Sequence, residues 1–137
     1  MLRVGTVGTS SIMRTIQEAI RLTDGMECRV VYSRTEEQGR AFAAEMGVPE
    51  HCTDYAAMLE RSDLDLIDIA SPNRFHVEQA LAALEHGKHV IVEKPAAVTR
   101  GDVQRLIDAA RANGVYFFEA ITTLFMPQYE ACRLLLP

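Results

Sequence analysis

Glu93-Lys94-Pro95 directly follows the apolar run His89-Val90-Ile91-Val92. The run reads as a buried parallel strand that the proline ends, and in open α/β sheets ligands bind just beyond such strand ends. An ammonium held there can stabilise or protonate an oxygen on which negative charge develops. Pro95 fixes the turn that aims Lys94, through a trans or a cis bond.

A second chemical signal lies at the N-terminus. Arg3-Val4-Gly5-Thr6-Val7-Gly8-Thr9-Ser10-Ser11-Ile12-Met13 reads as a strand, a tight turn and a helix start. Free amide N–H groups and the helix dipole attract anions at such a place. Against the pattern G-x-G-x-x-G, Gly8 fills the first place while Ser10 and Met13 stand at the second and third. Ser10 sets a diphosphate slightly further out and offers a hydroxyl in exchange, and Met13 implies looser packing of the first helix. The same residues also describe an ordinary βα turn with a serine N-cap at Ser10 or Ser11.

The second strand ends Val30-Val31-Tyr32-Ser33-Arg34, with no carboxylate until Glu36. A carboxylate near this point would accept the ribose hydroxyls of NAD, whereas a hydroxyl beside a guanidinium suits the 2′-phosphate of NADP. Ser33 and Arg34 therefore favour NADP, with NAD possible. Arg34 could also be a solvated loop residue. His76, just past Ser71-Pro72-Asn73, stands at a helix start that Asn73 can cap. It is expected either to face the cleft near Lys94 or to be structural.

These residues need a scaffold. Short β-branched runs alternate with helical patterns, which predicts βαβ units around a doubly wound parallel sheet. Strands are expected near 2–7, 27–33, 65–70, 88–93 and 115–119, with one more short strand within 49–53. Helices are expected near 11–22, 35–46, 54–60, 73–86, 99–113 and 127–135. Val77, Ala80, Leu81 and Leu84 form one stripe that should cover the sheet, stopped by Gly87. Val103, Leu106, Ile107 and Ala110 form another.

With 137 residues, 48% of them hydrophobic, the chain can bury a real core as one domain. A net charge of -5 argues against a general nucleic-acid or membrane-surface binder. No apolar run approaches a membrane span of about 18 residues, and the start lacks the plan of a signal peptide, so a cytoplasmic protein is expected. Cys28, Cys52 and Cys132 are odd in number and widely spaced, which indicates neither a disulfide framework nor a metal site. They are expected to be small buried or half-buried side chains.

Gly8-Thr9-Ser10, Tyr32-Ser33-Arg34, Asp68-Ile69-Ala70-Ser71-Pro72-Asn73 with His76, Gly87-Lys88-His89-Val90, Glu93-Lys94-Pro95 and Glu119-Ala120 occur in an order and spacing that resemble one family. The chain resembles the N-terminal, Rossmann-type NAD(P)-binding domain of the glucose-fructose oxidoreductase / inositol 2-dehydrogenase (Gfo/Idh/MocA) family. That resemblance implies an oxidoreductase passing a hydride between a nicotinamide dinucleotide, often NADP, and a sugar, polyol, diol or related carbonyl. By motif position it places Gly8, Thr9, Ser10 and Ile12 at the diphosphate and Ser33 and Arg34 at the adenosine ribose phosphate. Ala70, Pro72, Asn73 and His76 would line the cofactor's middle and nicotinamide side. Glu93 would contact the nicotinamide ribose, and Lys94 would be the catalytic lysine, with His76 a second candidate.

The resemblance also implies a second α/β domain that completes the substrate pocket, usually forms the oligomer interface and often supplies an Asp and a His. Residues 1–120 then form the dinucleotide-binding domain, and 121–137 the start of the crossover, with Leu124 where many members have Arg before Phe125. Without the second domain the expectation is cofactor binding with little or no turnover, and exposed apolar surface around Phe117, Phe125 and 134–136. A stand-alone NADP-binding regulatory or interaction module is the alternative. An unrelated CoA- or flavin-binding domain fits the alternation but not the motif spacing after residue 68.

Overall fold

The computed structural model describes residues 1–135. Six parallel strands, β1 (Leu2–Val7), β2 (Met26–Tyr32), β3 (Glu50–Cys52), β4 (Leu66–Ile69), β5 (His89–Glu93) and β6 (Phe117–Ala120), form one sheet in the order β3-β2-β1-β4-β5-β6. Between and after them run α1 (Ser11–Leu22), α2 (Glu36–Met46), α3 (Tyr55–Leu59), α4 (His76–Glu85), α5 (Arg100–Ala112) and α6 (Pro127–Arg133). The strand order reverses on either side of β1, so β1 and β4 flank a crevice at their C-terminal ends. In doubly wound sheets that switch point is the ligand site.

The core follows from the β-branched runs. Val4, Val7, Val30, Val31, Ile67, Ile69, Val90 and Val92 are all buried, and burying each such side chain contributes roughly 1.5–3 kcal/mol. Ala80, Leu81 and Leu84 of α4 and Leu106 and Ala110 of α5 pack on the same cluster, as the two helical stripes predict. Met13, expected to loosen α1, is instead fully buried with Val31, Phe42, Ala43, Val48 and Ala70. An unbranched flexible side chain fills the space that a glycine would leave between helix and sheet.

Element ends differ from expectation where hydrogen bonding decides them. The helix expected from residue 73 begins as a 3₁₀ turn over Asn73–Phe75, in which the Phe75 amide donates to the Pro72 carbonyl at 2.9 Å. Strand β6 starts two residues later than expected. The Val115 amide there still donates to the Ala110 carbonyl of α5, at 3.0 Å.

Gly87 stops α4 with φ 69°, a conformation that costs little without a Cβ. The next residue, Lys88, is buried and donates its ammonium to the carbonyls of Arg61 at 2.6 Å and Leu64 at 3.0 Å. The entry to β5 is therefore pinned, and with it the position of Glu93 and Lys94, five and six residues on.

Cys28 and Cys52 are half-buried and Cys132 is exposed, all three free. Exposed apolar side chains concentrate near β6 and beyond, at Phe118, Phe125, Leu134 and Leu135, whereas Phe117 packs against the core. Of the expected 134–136 run, residue 136 lies outside the described residues. No helix among the described residues is long and apolar enough to cross a membrane.

Candidate functional site

Two cavities open at the C-terminal edge of the sheet. The first, of about 220 Å³, is bordered by the Gly8-Thr9-Ser10 turn, by Ser33 and Arg34 after β2, and by Ala70 and Pro72 after β4. The second, of about 440 Å³, is bordered by Ser10, Ile12, Ala70, Pro72, Asn73, Glu93 and Lys94. Ser10, Ala70, Ser71 and Pro72 border both, so the two form one trough across the switch point. Every expected site residue except His76 lines it.

The turn between β1 and α1 is shaped for a close approach of backbone. Gly8 has φ +115°, and a Cβ there would stand 2.8 Å from the Ala70 carbonyl oxygen. Any side chain would push β1 and β4 apart at the crevice. Ser10 occupies the N-cap position of α1 but its hydroxyl caps no amide, and the first turn holds no acidic residue. By contrast Thr35 caps α2 beside Glu36 and Glu37, and Thr99 caps α5 beside Asp102. The N-terminus of α1 thus keeps its positive end open toward the trough, where it favours an anion.

At the other end of the trough the turn bearing Lys94 is held from two sides. His76, 1% exposed, faces the Pro95 carbonyl with Nδ1 at 2.9 Å and the Ser71 carbonyl with Nε2 at 2.7 Å. Glu119 of β6 accepts the Ala96 amide at 2.9 Å. The Lys94-Pro95 bond is cis. Lys94 itself is exposed on the cavity and forms no ion pair among the described residues.

The cleft-facing expectation for His76 is therefore corrected: its ring lines neither cavity and both its nitrogens are spent on backbone carbonyls. The physical reason is that the buried ring reaches from the turn after β4 to the turn after β5, where its N–H finds a backbone carbonyl. Nor does Asn73 cap α4. It sits in the 3₁₀ turn and lines the second cavity.

Beneath Glu93 lies a buried acid. Asp68, paired in register with Thr6 and Ile91, is 6% exposed, and its Oδ1 has no hydrogen-bond partner. Burial first, and the nearby Glu93 carboxylate second, push its pKa up to about 7. From α1, Gln17 donates to the Thr6 hydroxyl at 2.9 Å and to Cys28 Sγ at 3.2 Å, and burial pushes the Cys28 thiol up.

Further residues bordering the first cavity, Tyr32, Gln38, Ser71, Phe75 and Gln79, were not among the expected site residues. Tyr32 and Ser71 stood within the motifs already singled out. Phe75, in the 3₁₀ turn, and Gln79, in the first turns of α4, stood in none of them.

Comparison with known proteins agrees with this geometry. Residues 2–121 match the model of an oxidoreductase family described by its NAD-binding Rossmann fold. The chain is 36% identical over 133 residues to the scyllo-inositol 2-dehydrogenase (NADP(+)) of Bacillus subtilis, covering 97% of this chain and 40% of that protein. A 3-ketoreductase from Actinomadura kijaniata in complex with NADP superposes with a TM-score of 0.92 at 30% identity, over 98% of this chain and 43% of that one. A biliverdin reductase from Synechocystis, solved with biliverdin and NADP+, superposes with a TM-score of 0.87 at 29% identity, over 97% of this chain and 42% of that one. The chain spans about 40% of the length of the curated relative. With the glycine turn, the open α1 terminus and the Glu93-Lys94-Pro95 edge in one trough, the chain belongs to the Gfo/Idh/MocA oxidoreductase family, as its NAD-binding Rossmann domain.

Proposed function

We propose that this domain binds NADP and presents Lys94 to a sugar, polyol, diol or related carbonyl compound. The observation that carries the reading is the continuous trough from Ser33 and Arg34, past Gly8 and Ser10, to Glu93 and Lys94. The residues fit a dinucleotide: a Cβ-free turn, an uncapped helix terminus for the diphosphate, and a hydroxyl beside a guanidinium for a 2′-phosphate. NADP in similar proteins supports that choice over NAD.

When bound, the nicotinamide supplies or accepts the hydride. Thr9, Ser10 and Ile12 hold the diphosphate, Ser33 and Arg34 the ribose phosphate, and Ala70, Pro72 and Asn73 line the path toward the nicotinamide. Glu93 orients the nicotinamide ribose. Lys94 Nζ moves the proton at the substrate oxygen: it donates when a carbonyl is reduced and accepts when an alcohol is oxidised. His76 and Glu119 act through the turn that carries it.

Residues 1–120 form the dinucleotide-binding unit, and the segment from 121 begins the connection to a substrate-forming part. The much greater length of the relatives supports that division. The test is nicotinamide fluorescence titration with NADPH and NADH, on the wild type and on Arg34→Ala. NADPH should bind more tightly, and Arg34→Ala should lower NADPH affinity by roughly tenfold or more while leaving NADH nearly unchanged. A preference for NADH would remove the role given to Ser33 and Arg34.

A further inference from the structure

The first cavity contains a held carboxamide that the diphosphate and phosphate contacts leave unused. The Ser71 hydroxyl donates to Gln79 Oε1 at 2.6 Å, which fixes the side-chain amide and leaves Nε2 without a partner among the described residues. The backbone of the same residue is fixed too. The Tyr55 hydroxyl donates to the Gln79 carbonyl at 2.8 Å, and its ring packs on Tyr32, a wall of the same cavity, with centroids 5.3 Å apart. Gln38, the other carboxamide on this cavity, is exposed, and its side-chain amide makes no hydrogen bond among the described residues.

A carboxamide tethered in this way offers one acceptor lone pair, on Oε1, beside two N–H donors. Adenine presents the complement, an exocyclic amino donor next to a ring-nitrogen acceptor, which is why glutamine pairs with adenine through two hydrogen bonds. Hypoxanthine replaces the amino group by a carbonyl oxygen, so acceptor would face acceptor. Phe75 and Arg34, both lining the cavity, offer an aromatic face and a guanidinium plane for the base.

Resting on the NADP reading above, we propose that Gln79, positioned by Ser71 and the Tyr55–Tyr32 pair, reads the adenine base and selects adenine dinucleotides over hypoxanthine ones. Ser71 and Tyr55 are positioning residues; Gln79 makes the contact.

The test is fluorescence titration with NADPH and with reduced nicotinamide hypoxanthine dinucleotide phosphate. The wild type should favour NADPH by roughly tenfold or more. Gln79→Leu should bind both with one affinity, near that of the wild type for the hypoxanthine form. Ser71→Ala should retain a reduced preference. Equal wild-type affinities, or a preference that survives Gln79→Leu, overturn the base-reading role while leaving the dinucleotide site standing. Binding of neither dinucleotide overturns the dinucleotide reading and this proposal together.

Discussion

Lys94 stands at the end of a chain of local causes. Gly87 releases the backbone from α4, Lys88 pins the start of β5, and the strand delivers Glu93 and Lys94 to the trough. If Lys94 moves the substrate proton, NADP-dependent turnover of this domain joined to its substrate-forming part should fall by roughly a hundredfold or more in Lys94→Ala, in line with the usual size of acid–base catalysis. NADPH affinity should change by less than about threefold. Retained turnover would remove Lys94 from the reaction. Asp68 gives a different residue-scale expectation. Its native pKa of about 7 lies above the value near 3.9 of an unfolded chain. The native state therefore holds an extra proton between about pH 4 and pH 7, and stability is lost as pH rises through that window. Denaturant unfolding of Asp68→Asn and the wild type should diverge in favour of the variant by roughly 2–4 kcal/mol between pH 4 and pH 8. A difference independent of pH would contradict the argument that burial and the Glu93 carboxylate raise this pKa.

At the scale of elements, His76 ties two loops together. It links the Ser71 carbonyl after β4 to the Pro95 carbonyl after β5, while Glu119 of β6 holds the Ala96 amide. His76→Ala should cost about 2–3 kcal/mol in unfolding free energy, since it opens a buried cavity and takes the ring N–H away from a loop carbonyl. Loss of stability below about 0.5 kcal/mol would show that the loops hold without it. Most of the elements were legible in the sequence because periodicity and punctuation agree: Thr35, Asp54 and Thr99 cap, Gly47, Gly87 and Gly114 stop, and valines mark the strands. The trough was legible wherever a residue lines it by its place on a strand end or turn, as do Gly8, Ser33, Arg34, Glu93 and Lys94. It was not legible for His76 or Gln79. The role of each depends on a carbonyl or hydroxyl brought near by tertiary packing, and local spacing carries no record of that.

For the whole molecule, the sheet order places the glycine turn, the Ser33-Arg34 corner and the Lys94 turn along one edge, so one trough runs past the ends of β2, β1, β4 and β5. A ligand that binds only the folded state raises stability by mass action, about 2.7 kcal/mol at a hundred times its Kd. NADPH at that level should raise the Tm by several degrees, and NADH at the same concentration by less. The most direct measurement is a crystal structure of this chain with NADP. The account predicts the adenosine phosphate between Ser33 and Arg34, the diphosphate over the Gly8-Thr9-Ser10 turn, and the nicotinamide beside Glu93 and Lys94. A dinucleotide seated outside this trough, or reversed within it so that the nicotinamide meets Arg34, would contradict it.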